Sequence, residues 1–447
     1  MAATSEAAPT SRLAERSEPL FNKLSPGPGR SAREVASNQC ARLHGAMIEI
    51  VGRRGYREVT VRELSRLANV STGTFYAHFK DKDECLLRTY DLVVRRATEQ
   101  IVSAQSGERD QRQRLHRAFA AFAWEVARRP QAARLALVEP YAVGPPAEAR
   151  MRQAECLFER MLSQSLTGKS ETSAASPLIV KGIMAGVNRV ARARLLSGRE
   201  KDLPALSDEL TRWVLSFRDD ARGRLKQLGG QRARIGSLYR SAQARREESR
   251  AEPEDDRALI LIAVTKLAAS EGYGHLTVPR IRSAAGVPRR SFDAHFDGVE
   301  DCFRAALELR TTSALENAAA VGLTKDWASN VHTTIACLCA QIVSDPLLAN
   351  IAFADISASG PAGLRCRERT ITGIAEYFAA SGSQGVGPEA LSAEASVAAI
   401  WSILHHYVTS GRKRELSWLV PTLSYLALAP TVGAGAAVEA IFREQQR

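Results

Sequence analysis

The chain has 447 residues, of which 45% are hydrophobic and 25% charged, and it carries a formal net charge of +12. Such a composition suits a globular protein of two to four domains. No stretch approaches the roughly 18 consecutive apolar residues of a membrane span, which excludes an ordinary membrane protein. Seven scattered cysteines, an odd number, argue against a disulfide framework or a zinc site. We therefore expect a cytoplasmic protein with reduced thiols, no metal and no cofactor, and a polyanionic partner such as nucleic acid.

The chain repeats itself at long range. Eleven residues recur with a constant offset of 217 positions and no gap. They are Gly55, Tyr56, Thr60, Val61, Ala68, Val70, Phe75, Ala77, His78, Phe79 and Cys85, matched by Gly272, Tyr273, Thr277, Val278, Ala285, Val287, Phe292, Ala294, His295, Phe296 and Cys302. Fainter matches continue downstream, down to Ser197-Gly198-Arg199 and Ser410-Gly411-Arg412 at an offset of 213. The repeated unit is therefore roughly 200 residues long, which is too long for a solenoid repeat.

This repeat predicts an all-α protein of two tandem units, because Ala, Arg, Leu and Glu favour helices and no alternating Val/Ile/Thr run indicates a sheet. Each unit is expected to hold a helix-turn-helix domain followed by a helical bundle. The predicted segments are a disordered tail at 1–36, a helix-turn-helix domain at 37–97, a helical domain at 98–228, an Arg-rich linker at 229–255, a second helix-turn-helix domain at 256–314, a second helical domain at 315–430 and a C-terminal tail at 431–447.

The first two helices of the leading unit are marked by spacing and caps. Apolar residues at helical intervals predict a helix over Asn38–Arg54, which Gly55 ends. Thr60 offers an N-cap hydroxyl, and Glu63 stands three residues later as a capping box requires. The second helix is expected over Val61–Ala68. Its inner face is predicted to consist of Val61, Leu64 and Leu67.

A third helix begins after a Ser71 cap and runs from Thr72 to about Phe79. Two short helices joined by a tight turn form a helix-turn-helix unit. Phe75 is spaced to face inward together with Phe79. The small polar start of the helix allows a close backbone approach to DNA, and its hydroxyls can bond to bases or phosphates. Asp81 is expected to cap a fourth helix.

The stretch TVRELSRLANVSTGTFYAHFKDKDECL resembles the DNA-binding domain of TetR-family transcriptional regulators. The resemblance is specific over about 60 residues, and a weaker similarity extends over the helices of both halves. It implies phosphate contacts from Thr60, Tyr76, His78 and Lys82, and base contacts from Thr72, Gly73 and Thr74, with Ser71 at the start of the reading helix. The alternative for the whole segment is a plain helical bundle. In that case His78 and Gly73 serve packing alone.

The second copy keeps its anchors Phe292 and Phe296 but changes the outer surface. Tyr76 corresponds to Asp293, which would repel phosphate. Lys80 and Lys82 correspond to an aspartate and a valine. The candidate contacts that remain are Arg289, Arg290 and His295.

Charge follows the same division between the halves. Residues 1–228 hold 38 basic and 26 acidic residues, a net charge of +12, whereas residues 251–447 hold 17 and 21, a net charge of −4. Non-specific DNA affinity grows with the number of phosphates neutralised. We therefore expect the second helix-turn-helix to be weak or silent on DNA, the alternative being that its arginines read another sequence.

The family resemblance also implies a small-molecule pocket in the middle helices and a four-helix bundle that pairs two subunits. The two halves can pair within the chain as a pseudo-dimer, since a connector of about 27 residues reaches up to roughly 90 Å. The alternative is a homodimer of two chains. No catalytic or metal motif appears, so we expect no enzyme.

The predicted function is that of a DNA-binding transcriptional repressor that a small-molecule effector releases from double-stranded DNA. The alternative is an architectural or partner-regulated DNA-binding protein without a ligand. Nothing in the sequence names the effector.

Overall fold

The structure is a computed structural model that describes residues 31–166, 176–217, 255–321, 326–354, 360–382 and 387–446. Throughout these ranges every regular element is a helix, which confirms the predicted all-α class. The chain divides into two compact units, one ending at Leu92 and the other beginning at Val93. The expected N-terminal tail, up to residue 30, and the linker at 229–254 lie outside the described residues.

The helices of the first half are bounded as follows. They are α1 Ala32–Arg54, α2 Val61–Ala68, α3 Thr72–His78, α4 Lys82–Gln105, α5 Gln111–Arg128, α6 Pro130–Leu137, α7 Pro145–Leu166, α8 Pro177–Leu196 and α9 Ser207–Leu215. Short 3₁₀ segments connect several of them. Because α4 runs unbroken from one compact unit into the other, the domain boundary predicted between residues 97 and 98 falls inside a helix.

The helices of the second half follow in the same order. They are α10 Asp256–Glu271, α11 Val278–Ala285, α12 Arg289–His295, α13 Val299–Ala319, α14 Trp327–Ser344, α15 Pro346–Ala349, α16 Gly360–Ala380, α17 Ala390–Thr409, α18 Leu416–Val432 and a last helix, α19, Ala434–Gln446. A π-helical segment, Asn350–Ala354, follows α15 directly.

Two predictions about the chain ends were wrong. The first helix begins at Ala32 rather than Asn38, because Ser31 and Glu34 form a reciprocal capping box inside the predicted tail. Residues 431–447 are not a tail, because α18 continues to Val432 and α19 follows. Gly433, with φ 83°, turns the chain between those helices, and α19 buries an alanine-rich face against α18 and α14.

The core of the larger unit is built around two helices from opposite halves. Helix α8 packs along α17, and α9 contacts α17 as well. The helices approach closely at Gly186, where a methyl group would lie 2.8 Å from the carbonyl oxygen of Ala395. Trp213 of α9 donates its indole N–H to Ser396 Oγ at 3.0 Å. Helices α8 and α9 of the first half therefore meet α17 of the second half within one chain.

No single helix of the described ranges is both long and apolar enough to cross a membrane. The pair Trp327–Ser344 and Pro346–Phe353 reaches the required length and composition only when joined, and it is bent by 99° at its break.

Two buried histidines make the stability of the fold depend on pH. Burial lowers the pKa of His332 to about 4, and burial together with nearby cations lowers that of His405 to about 4. Because both values lie below the roughly 6.5 of an unfolded chain, the unfolded state binds more protons below that pH. The stability that the neutral imidazoles allow is complete above pH 6.5 and is lost as the pH falls toward 4.

We expect the melting temperature to fall between pH 7 and pH 5, with a loss of about 2 kcal/mol for each histidine at pH 5. His332→Gln should flatten this dependence when melting is followed by circular dichroism. The exposed His295 supplies the control, since His295→Gln should leave the slope unchanged. An equal slope in both variants would contradict the assignment.

Candidate DNA-binding site

The turn between α2 and α3 is held by one left-handed residue and one buried arginine. Asn69 ends α2 with φ 52° and ψ 51°, a conformation that only Gly and Asn adopt readily. The Arg42 guanidinium of α1 donates to the carbonyl oxygens of Ala68 at 2.9 Å and Asn69 at 3.1 Å. These bonds satisfy carbonyls at the end of α2, which have no partner within the helix.

Helix α3 is anchored by its two phenylalanines. Phe75 and Phe79 are both buried, with ring centroids 5.6 Å apart. Helix α2 has the predicted bounds, but its inner face is smaller than expected, because Leu67 is 39% exposed. Leu64, Ser65 and Ala68 are its buried residues. The two short helices are therefore fastened mainly by Leu64 and the α3 phenyl rings.

The opposite side of α3 is open. Ser71, Thr72 and Gly73 are exposed, and Tyr76 is 60% exposed. The Ser71 hydroxyl accepts the backbone N–H of Thr74 at 2.9 Å and also lies 2.9 Å from Thr74 Oγ1. The start of α3 thus offers three hydroxyl-bearing residues, a backbone without side-chain cover at Gly73, and the phenol of Tyr76.

The other three predicted contact residues already have protein partners. Thr60 Oγ1 accepts the backbone N–H of Glu63 at 3.2 Å as the cap of α2. His78 is half-buried, with Nε2 3.3 Å from Gln39 Oε1. Lys82 donates to the carbonyl oxygen of Val59 at 3.0 Å, and its ammonium lies 4.8 Å from the centre of the Tyr56 ring. These three side chains are consequently held in position before any DNA arrives.

Several positioning residues were missed by the sequence reasoning. Gln39 and Arg42 lie on α1 outside any recognised motif, and Tyr56 belongs to the repeat but was given no predicted role.

Tyr56 donates its hydroxyl hydrogen to Asp83. Burial first, and then this bond, raise the pKa of Tyr56 above its ordinary value. The Arg88 guanidinium donates to the Glu84 carboxylate and also lies over the Phe79 ring. A charged residue among the apolar spacing of α1 is the one signal that could have pointed to Arg42.

The second copy has the same local build. Gly272 ends α10 with φ 85°, as Gly55 ends α1 with φ 85°. Thr277 caps α11 through the backbone N–H of Arg280, as Thr60 caps α2. Gly286, with φ 70°, stands where the first copy has Asn69. The anchors Phe292 and Phe296 are buried, so the helical frame of the two copies is alike.

The surface of the second copy differs from the first. Pro288 replaces the Ser71 cap and supplies no side-chain bond. Arg289 is paired with Asp293 at 3.2 Å, so part of its charge is neutralised on the helix itself. Arg290 and His295 are exposed.

Comparison with known proteins identifies the first copy. Residues 46–89 match the family model described as "Bacterial regulatory proteins, tetR family". The chain carries a TetR-family DNA-binding domain. This match spans α2, α3 and the turn that Asn69 forms, and it shows a DNA-binding domain of the kind found in TetR-family transcriptional regulators. The second copy is not matched by the model. No curated protein matches the chain by sequence.

Solved structures similar to the chain include three regulators. The fatty acid degradation regulator FadR from Bacillus halodurans is 17% identical over 43% of this chain and 97% of its own, with a TM-score of 0.37. FadR from Bacillus subtilis, solved in complex with stearoyl-CoA, is 16% identical over 39% and 97%, with a TM-score of 0.36. A TetR-like regulator from Rhodococcus sp. RHA1 is 18% identical over 42% and 99%, with a TM-score of 0.35.

The left-handed turn of the TetR-type domain gives a direct test. Asn69→Gly should leave stability and DNA binding close to wild type, because the second copy already has Gly286 in that conformation. Asn69→Val should cost about 1–2 kcal/mol, since a β-branched side chain is strained at positive φ. Urea unfolding of both variants checks this. Equal stabilities would mean that the turn does not depend on residue 69.

Proposed function

We propose that this regulator is a repressor that binds operator DNA through α3 and leaves it when a small molecule binds. The observation that carries the DNA part is the open face of α3, where Thr72, Gly73 and Tyr76 are exposed while Phe75 and Phe79 hold the helix from behind. Small polar residues at the start of a reading helix suit contact with base edges. Bacterial DNA lies in the cytoplasm, which is the proposed place of action.

The proposed contacts fall into two classes. Thr72, Gly73 and Thr74 read base edges, with Ser71 fixing the start of the helix. The remaining contacts, to phosphates, come from Thr60, Tyr76, His78 and Lys82. Lys82 keeps one proton on the Val59 carbonyl and has two more to donate, so its existing partner does not prevent a phosphate contact.

The second helix-turn-helix is proposed to bind DNA weakly. Its candidate contacts are Arg289, Arg290 and His295. Asp293 both repels phosphate and holds Arg289 in an ion pair. The half that contains this copy has a net charge of −4, so it gains little from the phosphate backbone.

Mutation of Tyr76 tests the proposed reader. Tyr76→Phe removes one hydroxyl from an exposed position and should weaken operator binding about five- to tenfold, the usual size of one hydrogen bond. The operator is first selected from a randomised duplex pool with the full chain, and affinity is then measured by fluorescence anisotropy. Melting temperature should not change, because the Tyr76 side chain is exposed.

Arg290→Ala is the matched control in the second copy, where affinity should stay within about twofold. Equal losses in the two variants would show that both copies read DNA. No loss in either would contradict the proposed contact surface.

We also infer that the two halves arose by duplication and pair within the chain as a pseudo-dimer. The support is the contact of α8 and α9 with α17, the helices that the resemblance assigns to subunit pairing. One chain then presents one strong and one weak reader, an arrangement suited to an asymmetric operator.

A cavity in the second half supports the ligand part of the proposal. It has a volume of about 60 Å³, and twelve of its thirteen lining side chains are apolar. The Trp401 ring lies 4.8 Å from that of Phe353 in its wall. The indole Nε1 of Trp401 is buried and has no hydrogen-bond partner among the described residues. The cavity surface is apolar and the Trp401 N–H does not reach it, so the lining fits a small apolar ligand. A ligand as large as benzene enters only if the wall moves, because benzene binds in a cavity of about 150 Å³.

The same wall contacts the second helix-turn-helix. The π-helical segment Asn350–Ala354 supplies Ala352 and Phe353 to the cavity. Its first residue, Asn350, donates to the carbonyl oxygen of Ala269 in α10 at 3.0 Å. A ligand that displaces this segment would therefore move α10.

Ligand binding is tested with a matched pair of probes, acetophenone and ethylbenzene, which differ in a carbonyl oxygen. Ethylbenzene should raise the melting temperature of the full chain more than acetophenone, because the carbonyl oxygen would find no donor on the apolar cavity surface. Binding to the native state stabilises it by about 2.7 kcal/mol at a concentration 100 times Kd. Ala352→Leu fills the cavity from its own wall and should abolish the shift with ethylbenzene. If neither probe raises the melting temperature, regulation by a partner instead of a ligand is favoured.

A further inference from the structure

Helices α8 and α17 correspond residue for residue. Pro177–Leu196 and Ala390–Thr409 both have 20 residues, and each position of one lies 213 residues from its counterpart in the other. The two helices pack on each other, so each contact has an equivalent. If one residue of α8 contacts a residue of α17, the α8 counterpart of the second residue lies opposite the α17 counterpart of the first. The two members of such a pair of contacts can be compared directly.

The close crossing uses one glycine and one alanine in each equivalent contact. Gly186 faces Ala395, and Gly182 faces Ala399, whose Cβ would be 3.3 Å from a methyl group added at Gly182. Gly182 and Ala395 are counterparts, as are Gly186 and Ala399. A methyl group at Gly186 would lie 2.8 Å from the Ala395 carbonyl oxygen, and one at Gly182 would be in tight contact with the Ala399 methyl group. The spacing therefore favours glycine on the α8 side of both contacts.

Charges at the same interface are also unequal. The Arg189 guanidinium, 2% exposed, donates to Glu394 at 2.8 Å and pairs with Glu368 of α16. Arg194 donates to Glu394 at 2.6 Å. The counterpart of Glu394 in α8 is Lys181, and the counterpart of Arg189 in α17 is Ser402. The acid lies only on α17 and its two arginine partners only on α8.

From these two asymmetries we infer that the interface is built to join unlike halves and to reject like ones. This rests on the pairing of halves in the proposed function and adds its specificity. Two first halves would oppose glycine to glycine, leaving voids. They would also bring Arg189 and Arg194 against Lys181, which is already paired with Glu159 of its own half at 3.7 Å, so both arginines would lose the carboxylate of Glu394. Buried like charges without a partner are strongly unfavourable.

Two second halves would fail for a different reason. At both crossings Ala399 of one half would take the place of Gly186, where a methyl group lies 2.8 Å from the Ala395 carbonyl oxygen. Glu394 would face Ser402 and lose both arginines. The partner of each half is therefore the other half, and the chain needs no second copy of itself. Repulsion of the wrong partner sets specificity here as much as attraction of the right one.

Particle mass tests the inference on the full chain without DNA. The wild-type protein should sediment as one 48.6 kDa chain at nanomolar to micromolar concentrations. The double variant Lys181→Glu/Glu394→Lys gives α8 both an arginine and an acid, so two first halves become complementary while the halves within a chain become repulsive. We expect it to shift to particles of two chains.

The matched control is Lys181→Gln/Glu394→Gln, which removes charge from the same positions without reversing it and should stay at one chain. A wild-type particle of two chains overturns the inference. So does a folded charge-reversed variant that stays at one chain.

A second variant set covers the case in which charge reversal prevents folding. Gly182→Ala should lower the melting temperature by about 3 °C, the shift expected for a loss near 1 kcal/mol in a large domain. Ala399→Gly in the same chain should restore most of that loss, because the pair then holds one methyl group again. The double-mutant cycle separates this contact from the helix propensities of the single changes.

Strictly additive effects in that cycle would overturn the steric part of the inference. None of these measurements involves DNA or ligand, so their failure is distinguishable from failure of the proposed repressor function, which operator affinity reports.

Discussion

The close approach of α8 and α17 is the constraint on which the larger unit depends. Gly186 lies so near the Ala395 carbonyl and the Trp213 ring that a methyl group would be 2.6–2.8 Å from both. At that distance the helices bury their small residues against each other, and the long side chains must find space at the edges. Arg189 is therefore buried, and its charge requires the two glutamates that it contacts.

The pairing of these helices explains how one chain can hold two unequal readers. Ordinary two-fold binding of DNA needs two identical subunits. On the proposed pairing, a single chain contains both partners of the interface, so the second helix-turn-helix can lose its proposed phosphate contacts without removing those of the first. Asp293 in the place of Tyr76 is such a loss. The cavity beside Trp401 lies in the second half as well, so the proposed ligand site and the stronger of the two proposed DNA contacts belong to different halves.

The reader itself shows how a contact surface is prepared. Lys82, His78 and Thr60 are each fixed by a protein partner, while Tyr76 and the start of α3 are left open. Side chains already held in position lose less entropy on binding than free ones. The arginine under the turn, Arg42, does the same for the backbone by bonding two carbonyls at the end of α2.

The sequence by itself determined the helical class, the repeat, the bounds of α2 and the start of α3. These features depend on residues a few positions apart: Thr60 with Glu63, Ser71 with Thr74, Gly55 at a helix end. It also carried the TetR resemblance, which the family model confirms over residues 46–89. Local capping and spacing are readable because both partners stand in one short stretch.

Only the tertiary structure decided which distant residues meet. Arg189 donates a hydrogen bond to Glu394, 205 positions away in the sequence, and Lys82 donates one to the Val59 carbonyl. Helix α19 packs where a tail was predicted. Leu67, spaced for the core, is 39% exposed. The pairing of unlike halves belongs to the same class, since complementarity between Gly and Ala or between Arg and Glu has meaning only once two helices lie side by side.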